Sequence, residues 1–179
     1  MGSKKKKPEI VMISEKASDG DFVNASYTEK PVVSLSREVL GAPWEFHIHQ
    51  GFLDSDKSKP IYLVFVNENK IHVSHSVEFC DIPDVVIDMM KKRKKADYYI
   101  KKRGGYEKFC DQITELGSKT FSIHDCAKEA GLCDAGVAGL KKHLGVIEDL
   151  IPFSEVAKAS SIDKRILLPA AIAYKQLAA

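Results

Sequence analysis

The feature that most restricts the fold is a change of hydrophobic period near Asp81. Before it, apolar residues alternate with polar ones or run together in short blocks. After it they recur at every third and fourth position. A period of two belongs to strands that bury one face, and a period near 3.6 to helices that bury one stripe. The 179 residues therefore read as an α+β protein. A β-rich N-terminal half (9–80) of four or five mostly antiparallel strands precedes a helical C-terminal half (81–179). Residues 1–8 read as a disordered basic tail.

In the front half, Trp44, Phe46 and Ile48 alternate with Glu45, His47 and His49, as in a half-buried strand. Val33, Leu35, Arg37 and Val39 share a parity within 31–40. The apolar block 61–66 reads as a central strand. Asn67, Glu68, Asn69 and Lys70 make a hairpin-type link into a strand over 71–77. Ile10 begins a short apolar run, 18–21 is a turn signal, and 54–60 is a polar loop.

The back half opens with a helix of about 20 residues that ends at Gly104-Gly105. Pro83 suits its first turn, and Asp84 and Asp88 suit the positive end of its dipole. Its apolar stripe (Ile82, Val85, Val86, Met89, Met90, Ala96, Tyr99, Ile100) is interrupted at Lys92 and Arg93. Tyr106, Phe109, Cys110, Ile113 and Leu116 predict a second helix, stopped by Gly117. Ser122 with Asp125 marks a capped start, with Ile123, Cys126, Ala127 and Ala130 on one face up to Gly131. Asp134 caps a further helix, with Val137, Leu140 and Leu144 inward. Pro152, Ser160-Ser161 and Pro169 divide the remainder into short helical pieces. No internal repeat stands out.

Charge is more unevenly distributed than period. Residues 91–108 hold nine basic residues against Asp97 and Glu107, a net charge of +7, while the whole chain sums to +2. Like charges three and four apart on a helix repel, and a polyanion converts that repulsion into attraction. The expected phosphate contacts are Lys91, Lys92, Arg93, Lys94, Lys95, Lys101, Lys102 and Arg103. Tyr98, or Tyr99, is placed to stack on an exposed base. The bland alternative is a solvated helix face with one tyrosine in the core. RNA, DNA and an acidic protein surface all fit the run.

The segment 123–140, IHDCAKEAGLCDAGVAGL, resembles the helix-turn-helix of bacterial and phage DNA-binding regulators. The resemblance rests on Ala127, small where a second helix crosses, on Gly131 at the turn, and on Leu132, Val137 and Leu140 filling the angle. It implies a DNA-binding regulatory or phage accessory protein. Its second helix departs from that pattern. The outward positions Cys133, Asp134, Ala135, Gly136, Ala138 and Gly139 hold no good base reader. Gly136 and Gly139, each costing about 1 kcal/mol against Ala, point to a helix or partner protein packed on them. Lys141 and Lys142, beside His143, are within reach of phosphate.

Other features restrict function less. Cys80, Cys110, Cys126 and Cys133 form no close pair, which suits reduced thiols and a cytoplasmic location. The longest apolar runs, 61–66 and 166–174, fall short of the roughly 20 residues of a membrane span. Gly2 before a lysine run resembles a myristoylated polybasic end, but Lys6 stands where Ser or Thr is wanted. His47 and His49 share a parity, with Glu45 alongside, and His72 and His75 lie on a later strand. They offer metal ligands for an enzyme, against the plainer reading of a polar outer face. No nucleophile motif, phosphate-binding glycine loop or cofactor motif is present, so neither catalysis nor a cofactor is expected. The leading expectation is non-catalytic nucleic-acid binding. The alternatives are a protein-interaction or assembly component, homo-oligomers included, and a histidine-based metalloenzyme.

Overall fold

The computed structural model describes residues 10–13, 25–53, 58, 60–67, 69–73, 78–132, 134–160 and 166–178. The basic tail with Gly2, the 18–21 turn, most of the 54–60 loop, residues 74–77 with His75, and Cys133 lie outside them. The chain is α+β, with antiparallel strands first and helices after. It forms two compact units, one reaching Val86 and one beginning at Ile87.

The first unit is a six-stranded antiparallel sheet, against the four or five strands expected, because the four residues of β2 are too few to show alternation: β1 (Ile10–Ile13), β2 (Ala25–Thr28), β3 (Val33–Leu35), β4 (Phe46–Leu53), β5 (Pro60–Val66) and β6 (Asn69–Val73). Its order is β1-β2-β4-β5-β6, and β3 pairs with the start of β4 on the edge that β2 uses further along. Phe46, Ile48, Val64, Val66 and Ile71 are buried on one face. Tyr27, Ile61 and Leu63, with Phe65 against them, form a cluster on the other. Burial on both faces explains why β5 reads as a continuous apolar block. Asn67, at φ 52°, turns the chain from β5 into β6.

The alternation expected through 31–40 stops early. After β3, Ser36 caps a single helical turn, α1 (Arg37–Leu40), its Oγ accepting from the Val39 N–H.

The second unit is helical. The helix α2 (Ile82–Lys102) is 21 residues long, as its stripe predicts. Gly104 (φ 97°) and Gly105 (φ 91°) turn it sharply into α3 (Gly105–Glu115). There follow β7 (Thr120–Ser122), α4 (Ile123–Glu129), α5 (Asp134–Leu144), β8 (Leu150–Pro152), α6 (Phe153–Ala159) and α7 (Leu167–Leu177). Ile100, Phe109, Ile113, Phe121, Ile123, Val137, Phe153 and most of α7 share one buried core.

These elements form a repeat that the linear sequence conceals. Strand, helix, helix (β7-α4-α5) is followed by strand, helix, helix (β8-α6-α7). Buried positions recur 30 residues apart: Phe121 and Ile151, Ile123 and Phe153, Cys126 and Val156, Ala127 and Ala157, Ala130 and Ser160. The strands pair antiparallel about Phe121↔Ile151, a locally twofold arrangement, and α4 packs on α7 as α5 does on α6. Within 120–130 and 150–160 only Ala127/Ala157 and Lys128/Lys158 are identical, so identity hides the relation.

Candidate nucleic-acid interface

Burial divides α2 along its length. Ile82, Val86, Met89, Ala96 and Ile100 are buried. Lys91, Lys94, Lys95, Tyr98, Lys101 and Lys102 are exposed. Their three- and four-residue spacing puts the exposed six on one stripe, about 16 Å long at 1.5 Å per residue. Tyr98, 67% exposed, sits at its middle. Five lysines surround it in sequence spacing: Lys91, Lys94 and Lys95 before it, Lys101 and Lys102 after it. Among the described residues no acidic side chain pairs with Lys91, Lys94, Lys95 or Lys102. Lys101 Nζ lies 2.6 Å from Asp97, and Lys92 Nζ 2.7 Å from Asp88.

The two arginines point the other way. Arg93 Nε donates to the Gly131 carbonyl at 3.1 Å, on the turn between α4 and α5. Arg103 donates from Nη2 to the Tyr99 hydroxyl at 2.9 Å. Its guanidinium lies 5.3 Å from the Tyr99 ring centre and 4.9 Å from that of Tyr174. Gln112 Nε2 donates to the Arg103 carbonyl at 3.1 Å. Both arginines therefore tie α2 to its own unit, and Tyr99 belongs to that structural contact. A sequence signal for this existed: positions 93, 96, 100 and 103 share one helical face with buried Ala96 and Ile100.

A second tie lies beside Tyr98. Asp97 accepts from the Tyr106 hydroxyl and pairs with Lys101. Partial burial raises its carboxyl pKa, but the hydrogen bonds from Lys101 and Tyr106 outweigh it and hold the group below the ordinary value. Burial, and then Asp97, push the Tyr106 phenol well above its usual range.

The α4–α5 pair has the geometry of a tight helix turn. Ser122 Oγ accepts from the Asp125 N–H at 3.1 Å. Leu132 N–H reaches back to the Ala127 carbonyl and Gly131 N–H to the Lys128 carbonyl, with Gly131 at φ 85°. Ala127, Val137 and Leu140 are buried, as expected. Gly139, read as outward, is buried too. A Cβ on Gly131 would run into the Met89 carbonyl, so α2 lies directly on this turn. Lys141 Nζ pairs with Asp149 at 3.1 Å, and Lys142 is exposed near the end of α5.

In the sheet unit, His47 Nδ1 is 2.9 Å from Ser34 Oγ. His49 Nδ1 donates to the Thr28 carbonyl at 2.7 Å, and its ring stands edge-on to Phe65 at 5.3 Å. His49 and the backbone of His72 both register against Leu63, on opposite sides of β5. Among the described residues no three His, Cys, Asp or Glu side chains are close enough to hold a metal ion. No described helix is long and apolar enough to cross a membrane. Comparison with protein-family models, with curated proteins and with solved structures finds no match.

Proposed function

We propose that this protein is a non-catalytic nucleic-acid-binding protein that holds phosphates on the lysine face of α2. The observation that carries the reading is the exposed row Lys91, Lys94, Lys95, Lys101 and Lys102, set on a helix whose other side is fixed by a packed core. Lysines crowded at this spacing oppose helix formation slightly. Phosphates along a strand relieve that repulsion and release counterions. The arginines and Tyr99 anchor the helix, the α4 turn supports it through Gly131, and the lysines remain for the ligand.

An acidic protein surface is the competing partner for the same charge. The reading of α5 as a docking face loses Gly139, which is buried, and keeps Ala138, which is exposed.

The test is fluorescence anisotropy with labelled RNA and DNA. The native chain is compared with a variant in which Lys91, Lys94, Lys95 and Lys102 become Gln. A second variant with Lys30, Lys119, Lys158 and Lys175 changed to Gln removes the same charge elsewhere. Loss confined to the first variant supports the assignment. Equal loss in both attributes binding to net charge and contradicts it.

A further inference from the structure

Tyr98 is the one residue on the lysine face that carries no charge. Its side chain is large, its exposure is 67%, and it lies outside the buried core. Tyr99, the next residue, is half-buried and engaged by Arg103, so the two tyrosines divide the roles of anchor and surface. An exposed phenol between cations has lysine neighbours on both sides along the helix, at i−4, i−3, i+3 and i+4. That arrangement sets an aromatic plane inside a track of positive charge.

Two observations restrict what such a track takes. The arginines, which read base edges by paired hydrogen bonds, are turned inward on Gly131, Tyr99 and Tyr174. No Asn or Gln stands on the exposed stripe. The face thus has charge for phosphates and a ring for a base plane, and none of the planar Arg, Asn or Gln groups that read base identity by paired hydrogen bonds. In a duplex the base planes are stacked on one another and closed to a ring outside. In a single strand they are open, and stacking on an aromatic ring tolerates any base.

We infer that the Tyr98–lysine face binds single-stranded nucleic acid without sequence preference, with Tyr98 stacking on one unpaired base while Lys91, Lys94, Lys95, Lys101 and Lys102 hold the flanking phosphates. This rests on the phosphate-binding reading above and names its substrate class.

The experiment uses the full chain and three labelled probes of equal charge: a thymidine oligomer, the same backbone without bases, and a duplex. Tyr98→Ala is expected to weaken thymidine-oligomer binding by about 5- to 100-fold. The base-free oligomer and the duplex should keep their affinity, and Tyr98→Phe should behave as native. Circular dichroism of the variants checks the fold, which an exposed side chain should not disturb. If Tyr98→Ala leaves the thymidine oligomer unaffected while the four-lysine variant loses it, phosphate binding stands and stacking is overturned. If the duplex binds more tightly than the single strand, the substrate class is overturned. If no probe binds at low salt and polyglutamate does, both readings fall and the face belongs to an acidic protein.

Discussion

Gly131 combines a backbone demand with a spatial one. Its φ of 85° is strained for any residue with a Cβ, and the Met89 carbonyl fills the space where that Cβ would go. Gly145 has the first demand alone, with φ 66° and nothing within 4 Å. Gly145→Ala should therefore destabilise by about 1 kcal/mol, and Gly131→Ala by about 2 kcal/mol or more. Urea titration of the two variants separates the cases, and equal losses would contradict the close approach. The cysteines differ in the same residue-level way. Burial, with Glu129, Asp125 and Asp149 nearby, pushes the Cys126 thiol up to about 11, whereas Cys80 is exposed. Brief alkylation followed by peptide mass mapping should label Cys80 and leave Cys126 unmodified until unfolding. The importance of Gly131 was legible in the sequence as a helix stop. The inward role of Arg93 and Arg103 was hidden, because a run of cations does not reveal which members reach a carbonyl or an aromatic ring.

The long, strongly periodic elements were legible and the short ones were not. Twenty-one residues of α2 carry several turns of pattern, so its ends and buried stripe are readable. β7 and β8 have three residues each, too few to show alternation, and they pair across a gap that holds two helices. Asp149, just before β8, closes that ribbon. It accepts from Ser122 Oγ at 2.6 Å and the His124 N–H at 3.0 Å, and pairs with Lys141. The Ser122 hydrogen bond lowers its carboxyl pKa, burial opposes it, and the hydrogen bonds from Lys141 and His124 leave the group below the ordinary value. A depressed native pKa contributes stability above the unfolded value, and that contribution disappears as pH falls through the native one. Asp149→Asn should thus be less stable than native at neutral pH, and the gap should close under acid. Thermal melts across that range check the sign. On α2, the four-lysine variant should melt at or slightly above the native temperature, because it removes repulsion of a few tenths of a kcal/mol per pair. A clear loss of stability would give those lysines a structural role.

At the scale of the molecule, the sequence placed the change of architecture near Asp81, and the compact units divide a few residues later, within α2. Period marks where helix begins, while contacts decide which core the first turns of that helix join. The α+β class was legible because each half keeps one period. The 30-residue repeat was not, since two identical pairs, Ala127/Ala157 and Lys128/Lys158, are too few to reveal it. The candidate site was half legible: charge density identified the helix, and burial selected Lys91, Lys94, Lys95, Tyr98, Lys101 and Lys102 from it.

The central claim is that these lysines hold phosphates. Its most direct test is the salt dependence of the association constant for a single-stranded oligomer, measured for the native chain and for the variant with Lys91, Lys94, Lys95 and Lys102 changed to Gln. Each phosphate contact contributes about 0.7 to the logarithmic slope, so four lost contacts should make the slope shallower by about 3. A variant with the native slope and affinity would place the binding elsewhere and contradict the assignment.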